Sequence, residues 1–268
     1  MGRQIKLMNF NVCHGFCSSE PPFKIEEERI KAAQKLVINE NPDILVLTEA
    51  CFAKENSCRI LINYQSLFNF PHYYHCPMGS EWGAALLSKY PIKQAENYSM
   101  GQRLFFRTSL DIEHRTINLD IAHPHPDLSE WEKKMFFKNI IRDYKKPYIL
   151  AGDFNSLSDE DSYDKEKLIR GFRVFDKHAE EKVEDLMKRL AIREIRTAGL
   201  VDTFTAKHRT FDYTVPTNSL SINKDSAMRV DYVFCSSDFN VINSYKIKGK
   251  HVERASDHYP IIAILAFL

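Results

Sequence analysis

Five short segments of the sequence bring oxygen- and nitrogen-bearing side chains to the ends of apolar runs: Asn9-Phe10-Asn11, Thr48-Glu49-Ala50, Gly152-Asp153-Phe154-Asn155, Arg229-Val230-Asp231-Tyr232 and Ser256-Asp257-His258-Tyr259-Pro260. Singly, each has an ordinary structural explanation. Gly-Asp after a strand is commonly a turn in which Asp bonds its own backbone, and Asn at a strand end commonly forms a turn. An isolated Asp-His is commonly a surface pair. Glu49 is less easily explained this way, because Leu45-Val46-Leu47-Thr48 carries its charge to the edge of the core. Leaving it unpaired there would be costly. As a set the segments offer carboxylates and amides, donors that suit a hard divalent cation such as Mg²⁺, and an imidazole, which can move a proton.

The elements that must position these residues follow from periodicity. Gln4 to Val12 alternates apolar and polar residues and reads as a strand, and Lys24 to Glu40 carries Ile30, Ala33 and Val37 at helical spacing. Asp43 to Thr48 is a short apolar run of buried-strand type. The plan recurs later. Arg115 to Ala122 is a strand ending at His123, Ser129-Glu130-Trp131-Glu132 is a capping box, and Trp131, Met135, Ile140 and Tyr144 continue a helical stripe. Pro147 then introduces Tyr148-Ile149-Leu150-Ala151, a buried strand followed at once by Gly152-Asp153. The chain thus writes strand, helix, strand two times, with polar residues just past the strand ends. Open α/β sheets place their ligands there. Trp82 to Ser88 and Gln102 to Ile112 read as antiparallel strands, and Lys177 to Arg196 as a solvated helix rich in both charge signs. Met228 to Cys235, Val241 to Lys248 and Ile261 to Phe267 complete the strands, with the last expected to return beside the strand of Asp231. No linker, low-complexity tract or short repeat divides residues 1–268, so a single domain is expected.

In this order and spacing the segments resemble the endonuclease/exonuclease/phosphatase superfamily, whose members include deoxyribonuclease I, repair nucleases of the exonuclease III type, neutral sphingomyelinases, inositol-polyphosphate 5-phosphatases and deadenylases. GDFN and SDHYP are specific in combination, and RVDYVF before SDH strengthens them. The resemblance implies an α/β four-layer sandwich: two mixed, mostly antiparallel sheets packed together, with helices on both outer faces. It also implies a Mg²⁺-dependent hydrolase, with Mn²⁺ able to substitute, that cleaves a phosphodiester by in-line water attack. Glu49 would be the principal metal ligand, with Asn11 and Asp257 completing or supporting the site. His258 would act as base with Asp231 fixing its tautomer. Asp153 and Asn155 would position the attacking water and the phosphate; some accounts of the family make this Asp the base. His123 matches a family His that donates to a phosphate oxygen. His125, in His123-Pro124-His125-Pro126, reads as a loop residue, and Asn9, one pleat from Asn11, as a supporting partner.

The substrate is less sharply written. A formal net charge of +1 gives no global basic field, so a nucleic-acid surface would have to be a local patch. Loops at 13–23, 77–81, 124–128, 156–176 and 206–226 are the places for it. Ala151 before Gly152, and Arg229 directly before Val230, disfavour the 5-phosphatase branch. No membrane-seeking apolar loop points to a sphingomyelinase, and Phe105-Phe106 and Phe136-Phe137 read as core. The expected substrate is therefore nucleic acid or a related phosphodiester. A lipid headgroup, a small phosphorylated metabolite, or a silent phosphate-binding role on the same fold are the alternatives. The opening MGRQIKLMNF lacks a secretory apolar segment and no apolar run reaches the length of a membrane span. A cytoplasmic monomer with six free cysteines is expected.

Overall fold

The computed structural model describes residues 3–18, 24–50, 62–76, 83–100, 103–218 and 224–268. The N-terminal part supplies β1 (Gln4–Asn11), α1 (Glu27–Glu40), β2 (Ile44–Thr48), α2 (Tyr64–Phe68), β3 (His72–Cys76) and β4 (Ala84–Ser88). The middle supplies β5 (Ile92–Met100), β6 (Arg103–Ile112), β7 (Arg115–Ala122), α3 (Glu130–Ile141), β8 (Tyr148–Asp153), α4 (Lys165–Phe172), α5 (Ala179–Leu186), α6 (Leu190–Thr197) and β9 (Val201–Asp202). Then come β10 (Asp231–Cys235), β11 (Phe239–Lys246), α7 (Lys250–Ala255) and β12 (Ile261–Phe267).

The strands form two six-stranded sheets, ordered β11-β12-β1-β2-β4-β3 and β5-β6-β7-β8-β10-β9. Each holds one parallel pair, β1 with β2 and β7 with β8, at the two places where the sequence writes strand, helix, strand. All other pairs are antiparallel. Strands covered on both faces need apolar residues on both, which is why β2 and β8 read as continuous runs. One face of each sheet packs on the other sheet: Leu7, Val46 and Leu86 meet Leu119, Ile149 and Val233 in a shared core. The outer face of the first sheet, with Phe10, Leu45 and Leu47, lies under α1 and α7 through Ala33, Leu36 and Val252. The outer face of the second, with Leu150, Tyr232 and Phe234, lies under α3 and α6 through Phe137, Ile140 and Ile192. Helix, sheet, sheet and helix make the expected four layers. Phe105, Phe106, Phe136 and Phe137 are all core, as expected.

Three local expectations are corrected. Helix α3 is capped as expected by the Ser129–Glu132 box. Its buried face, however, is Lys133, Phe136, Phe137 and Ile140, while Trp131 and Met135 are 59% and 36% exposed. Phe136-Phe137 fixes the face, since two adjacent large rings bury more apolar area than an isolated Trp. Residues 177–196 are two helices, not one: the chain breaks at Arg189, whose φ of 53° is left-handed, and α5 and α6 bury separate stripes on separate clusters. Finally, β12 does not lie beside β10. It pairs with β1 and β11 in the opposite sheet, so the Asp231 and His258 segments face each other across the sandwich. Of the residues considered above, Trp82, Gln102, two of the six cysteines (Cys51 and Cys58) and loop residues 19–23, 77–81 and 219–223 lie outside the described residues.

Candidate active site

The C-terminal ends of β1, β2 and β8 and the starts of β10 and β12 share one face of the sandwich. The backbone turns abruptly there. Glu49 and Asn155, just past the ends of β2 and β8, have left-handed φ of 55° and 48°. Such conformations cost on the order of 1–3 kcal/mol and persist where surrounding structure enforces them, often at functional sites. Gly152 is fixed by close approach: at φ 145° a Cβ would sit 1.9 Å from the Ala122 carbonyl oxygen. Only glycine lets β8 lie this near β7, which sets Asp153 beside His123.

Asp153 is the hub. Its register partner across the antiparallel pair is Asp231, so two carboxylates stand opposite each other on neighbouring strands. His258 spans the sheets: its Nδ1 lies 2.8 Å from Asp231 Oδ2, and its Nε2 lies 3.9 Å from Asp153 Oδ2. His123 Nε2 approaches the same Asp153 oxygen at 3.7 Å. Asn11 Nδ2 donates to Asp153 Oδ2 at 3.0 Å and to Glu49 Oε1 at 3.1 Å, tying the two carboxylates together. Glu49 Oε2 accepts from the His14 backbone N–H at 3.0 Å. Asn155 turns on Asp153, its N–H donating to Oδ1 at 2.9 Å, while its side chain donates to the Pro124 carbonyl. Ser256 Oγ donates to the Asn11 carbonyl at 2.7 Å and accepts from the His258 N–H, locking the Ser256-Asp257-His258 segment onto β1.

Electrostatics follow from this crowding. Burial, reinforced by Asp231 and Glu49, pushes the Asp153 carboxyl up against the opposing pull of His258 and the Asn155 N–H. Burial disfavours the His258 imidazolium, but Asp231, Asp257 and Asp153 outweigh it and hold the ring well above its ordinary 6.5. Among the described residues, Asp231 Oδ1 is buried without a hydrogen-bond partner.

Glu49, His123 and Asp153 place one ligand atom each within 4.8 Å of one another, as do Asp153, Asp231 and His258. Carboxylates held this close, with an orphaned carboxylate oxygen behind them, fit a hard cation. Cys13, with His14 and Glu49, places one further ligand atom within the same 4.8 Å limit, and burial, with the charges of Asp257 and Glu49, pushes its thiol strongly up.

Seven of the eight residues expected from sequence converge: Asn11, Glu49, His123, Asp153, Asn155, Asp231 and His258. Asn11 differs in detail. Its amide oxygen accepts from the Cys13 N–H at 2.9 Å and its amino group faces the carboxylates, tying Glu49 to Asp153. Asp257 stays on the rim: Ser256 Oγ reaches its carboxylate at 3.3 Å, and it joins none of the potential metal-holding groups found among the described residues. Asn9 is a supporting partner across sheets, donating to the Gly152 and Tyr232 carbonyls. Lys133 was not foreseen. It is 1% exposed on α3, and its Nζ donates to the Asn155 carbonyl at 2.7 Å, holding the left-handed turn from behind. The buried-face spacing Lys133, Phe136, Phe137, Ile140 contained that signal.

A double-sheet α/β sandwich with a carboxylate–histidine centre at its strand ends defines a class of hydrolytic phosphoesterases. The profile of the Endonuclease/Exonuclease/phosphatase family matches residues 8–258, and the chain belongs to that family. Its members are metal-dependent hydrolases of phosphoester bonds. No curated protein matches the sequence. Among solved structures, an endonuclease/exonuclease/phosphatase from Beutenbergia cavernae superposes with a TM-score of 0.74 at 18% identity, covering 99% of this chain and 72% of that one. An AP endonuclease from Archaeoglobus fulgidus gives 0.64 at 16% identity, covering 97% and 98%. D. rerio TDP2 complexed with a single-strand DNA product gives 0.64 at 14% identity, covering 98% of each chain. These likenesses establish the fold. No described helix is long and apolar enough to cross a membrane.

Proposed function

We propose that this protein is a divalent-metal-dependent phosphodiesterase acting on nucleic acid or a related phosphodiester by in-line water attack. The observation that carries the reading is the alignment of Asp231, His258 and Asp153 across the two sheets, at 2.8 Å and 3.9 Å. An oxygen about 2.8 Å from both His258 Nε2 and Asp153 Oδ2 closes that gap, the ordinary hydrogen-bond length for such an atom. With the His258 ring held charged, water there would lose its proton to the Asp153 carboxylate of the Asp231–His258–Asp153 unit, whose members titrate together. Asp231 fixes the imidazole tautomer and stabilises the imidazolium. His123 and Asn155 flank the same point and orient the phosphoryl oxygens. Glu49 with Asp153 would hold the cation, Asn11 aligns the two carboxylates, and Asp257 supports from the rim. Mg²⁺, or Mn²⁺ in its place, would supply positive charge to the phosphoryl and leaving oxygens when bound.

The test is a panel of phosphoesters: single- and double-stranded DNA, RNA, bis-p-nitrophenyl phosphate, sphingomyelin and inositol phosphates, each with Mg²⁺, Mn²⁺ or EDTA. Cation-dependent hydrolysis of the oligonucleotides and of bis-p-nitrophenyl phosphate is expected. Turnover unaffected by EDTA, or none on any phosphodiester, would overturn the reading.

A further inference from the structure

A cavity of about 1080 Å³ opens between the end of β11, helix α7, helix α1 and the 212–218 loop, with Tyr259, the residue after His258, in its wall. Its basic lining is Lys35, Lys246, Lys248, Lys250, His251 and Arg254, against two carboxylates, Asp212 and Glu253. Both carboxylates are engaged internally. Asp212 accepts from Lys246 and Lys248, and Glu253 accepts from the Tyr259 hydroxyl and the Asn218 amide. Lys246 is the pillar of the cavity, enclosed between the Tyr213 and Tyr259 rings at 4.0 Å and 4.5 Å. Lys35, Lys248 and Lys250 are exposed, and neither Lys35 nor Lys250 pairs with a carboxylate among the described residues. A protein with a net charge of +1 has gathered five cations around one opening; Asp212 offsets Lys246 and Lys248, and Glu28 reaches Arg254 at 3.4 Å, which leaves Lys35 and Lys250 without a carboxylate among the described residues.

The opening is continuous with the catalytic segment. Tyr259, next after His258, forms its wall, and its N–H donates to the Thr214 carbonyl. Asn218, also in the wall, follows Thr217, whose N–H donates to the Asp257 carbonyl. We propose, on the phosphodiesterase reading above, that this cavity binds the phosphates flanking the scissile one on a single nucleic-acid strand. The cations are spread over three elements instead of converging on one point, which suits a polymer with a charge about every 3.4 Å better than one headgroup. Among the described residues no aliphatic side chain lines the opening.

The test is Lys248→Glu/Lys250→Glu, both exposed, with Lys93→Glu/Lys145→Glu at the far ends of the strands as a charge-matched control. Fluorescence anisotropy with a labelled single-stranded oligonucleotide in EDTA reads binding without turnover. Affinity should fall about tenfold or more, and the slope of log affinity against log salt should flatten by about 1.4, the value for two lost phosphate contacts on a single strand. The control and the hydrolysis of bis-p-nitrophenyl phosphate should be unchanged, with melting temperatures confirming folding. Equal affinity and slope in the two variants, no oligonucleotide binding by the wild type, or binding of inositol hexakisphosphate in place of the oligonucleotide would overturn the strand site. Oligonucleotide binding that behaves as expected, without hydrolysis of any phosphodiester, would defeat the phosphodiesterase reading alone.

Discussion

At the scale of single residues, the site is a set of charges that burial makes interdependent. Asp231 and His258 are only 2% and 7% exposed, so they are not the surface pair that an isolated Asp-His commonly is. His258→Ala and Asp231→Asn should each cost about two to four orders of magnitude in kcat, and the double variant little more than the worse single one, because residues acting as a unit are non-additive. Steady-state kinetics decide it: fully additive losses would break the unit. Burial adds a second expectation, since each single variant leaves a buried charge without its partner and should melt lower than the double. Glu49→Gln keeps the contact with Asn11 but removes charge. Turnover at limiting Mg²⁺ should drop on the order of a thousandfold and recover in part as Mg²⁺ rises. Metal titration monitored by kinetics checks this, and normal turnover at low Mg²⁺ would refute the assignment.

At the scale of elements, what the sequence disclosed and what it hid have distinct physical causes. β2, β8 and β12 were legible because strands covered on both faces must be apolar throughout, and β1 because it alternates apolar and polar residues. Each catalytic segment follows or opens such a strand, which made most of the site legible with them. The α3 face was misread because apolar residues occur on both sides of the helix, and only packing shows that Lys133 is inside and Trp131 outside. The sheet membership of β12 was not legible, since strand pairing over long separation leaves no local pattern. The Ser129 cap was fully local: Ser129→Ala should lower stability by about 1 kcal/mol in urea unfolding, through loss of its bond to the Glu132 N–H. The 212–218 loop is latched to β11 by Asp212. Burial alone would raise its carboxyl, but Lys246 and Lys248 overcome this and hold it below its ordinary 3.8. A depressed carboxyl contributes stability above its unfolded pKa and loses it as pH falls through the folded value. Burial also disfavours the Lys246 ammonium, so the latch adds less than its contacts suggest. The melting temperature of Asp212→Asn should therefore trail the wild type at neutral pH and converge with it in acid, below the folded pKa of Asp212. A gap that persists in acid would assign the latch to packing instead.

At the scale of the molecule, the site belongs to neither sheet. Asn11, Glu49 and His258 come from the first, and His123, Asp153, Asn155 and Asp231 from the second. The Asn9 amide, bonded to Gly152 and Tyr232 in the other sheet, holds the two in fixed alignment. The second sheet is written as one uninterrupted stretch, residues 92–235, inserted between β4 and β11 of the first. This nesting has a price on the ribosome. Strand β1 is synthesised at the outset, yet β12, which covers its free edge from Gln4 to Asn9, is the last strand made. At ordinary elongation rates of about 5–20 residues per second, that edge waits on the order of ten seconds or more. An unpaired apolar edge is a template for wrong pairing. Nascent chains stalled once Cys235 has cleared the exit tunnel should show a β1 segment open to protease while Tyr148–Asp153 is already protected, whereas chains in which Phe267 has also cleared it should protect both. Equal protection at the earlier stall would mean that the first sheet closes without its final strand.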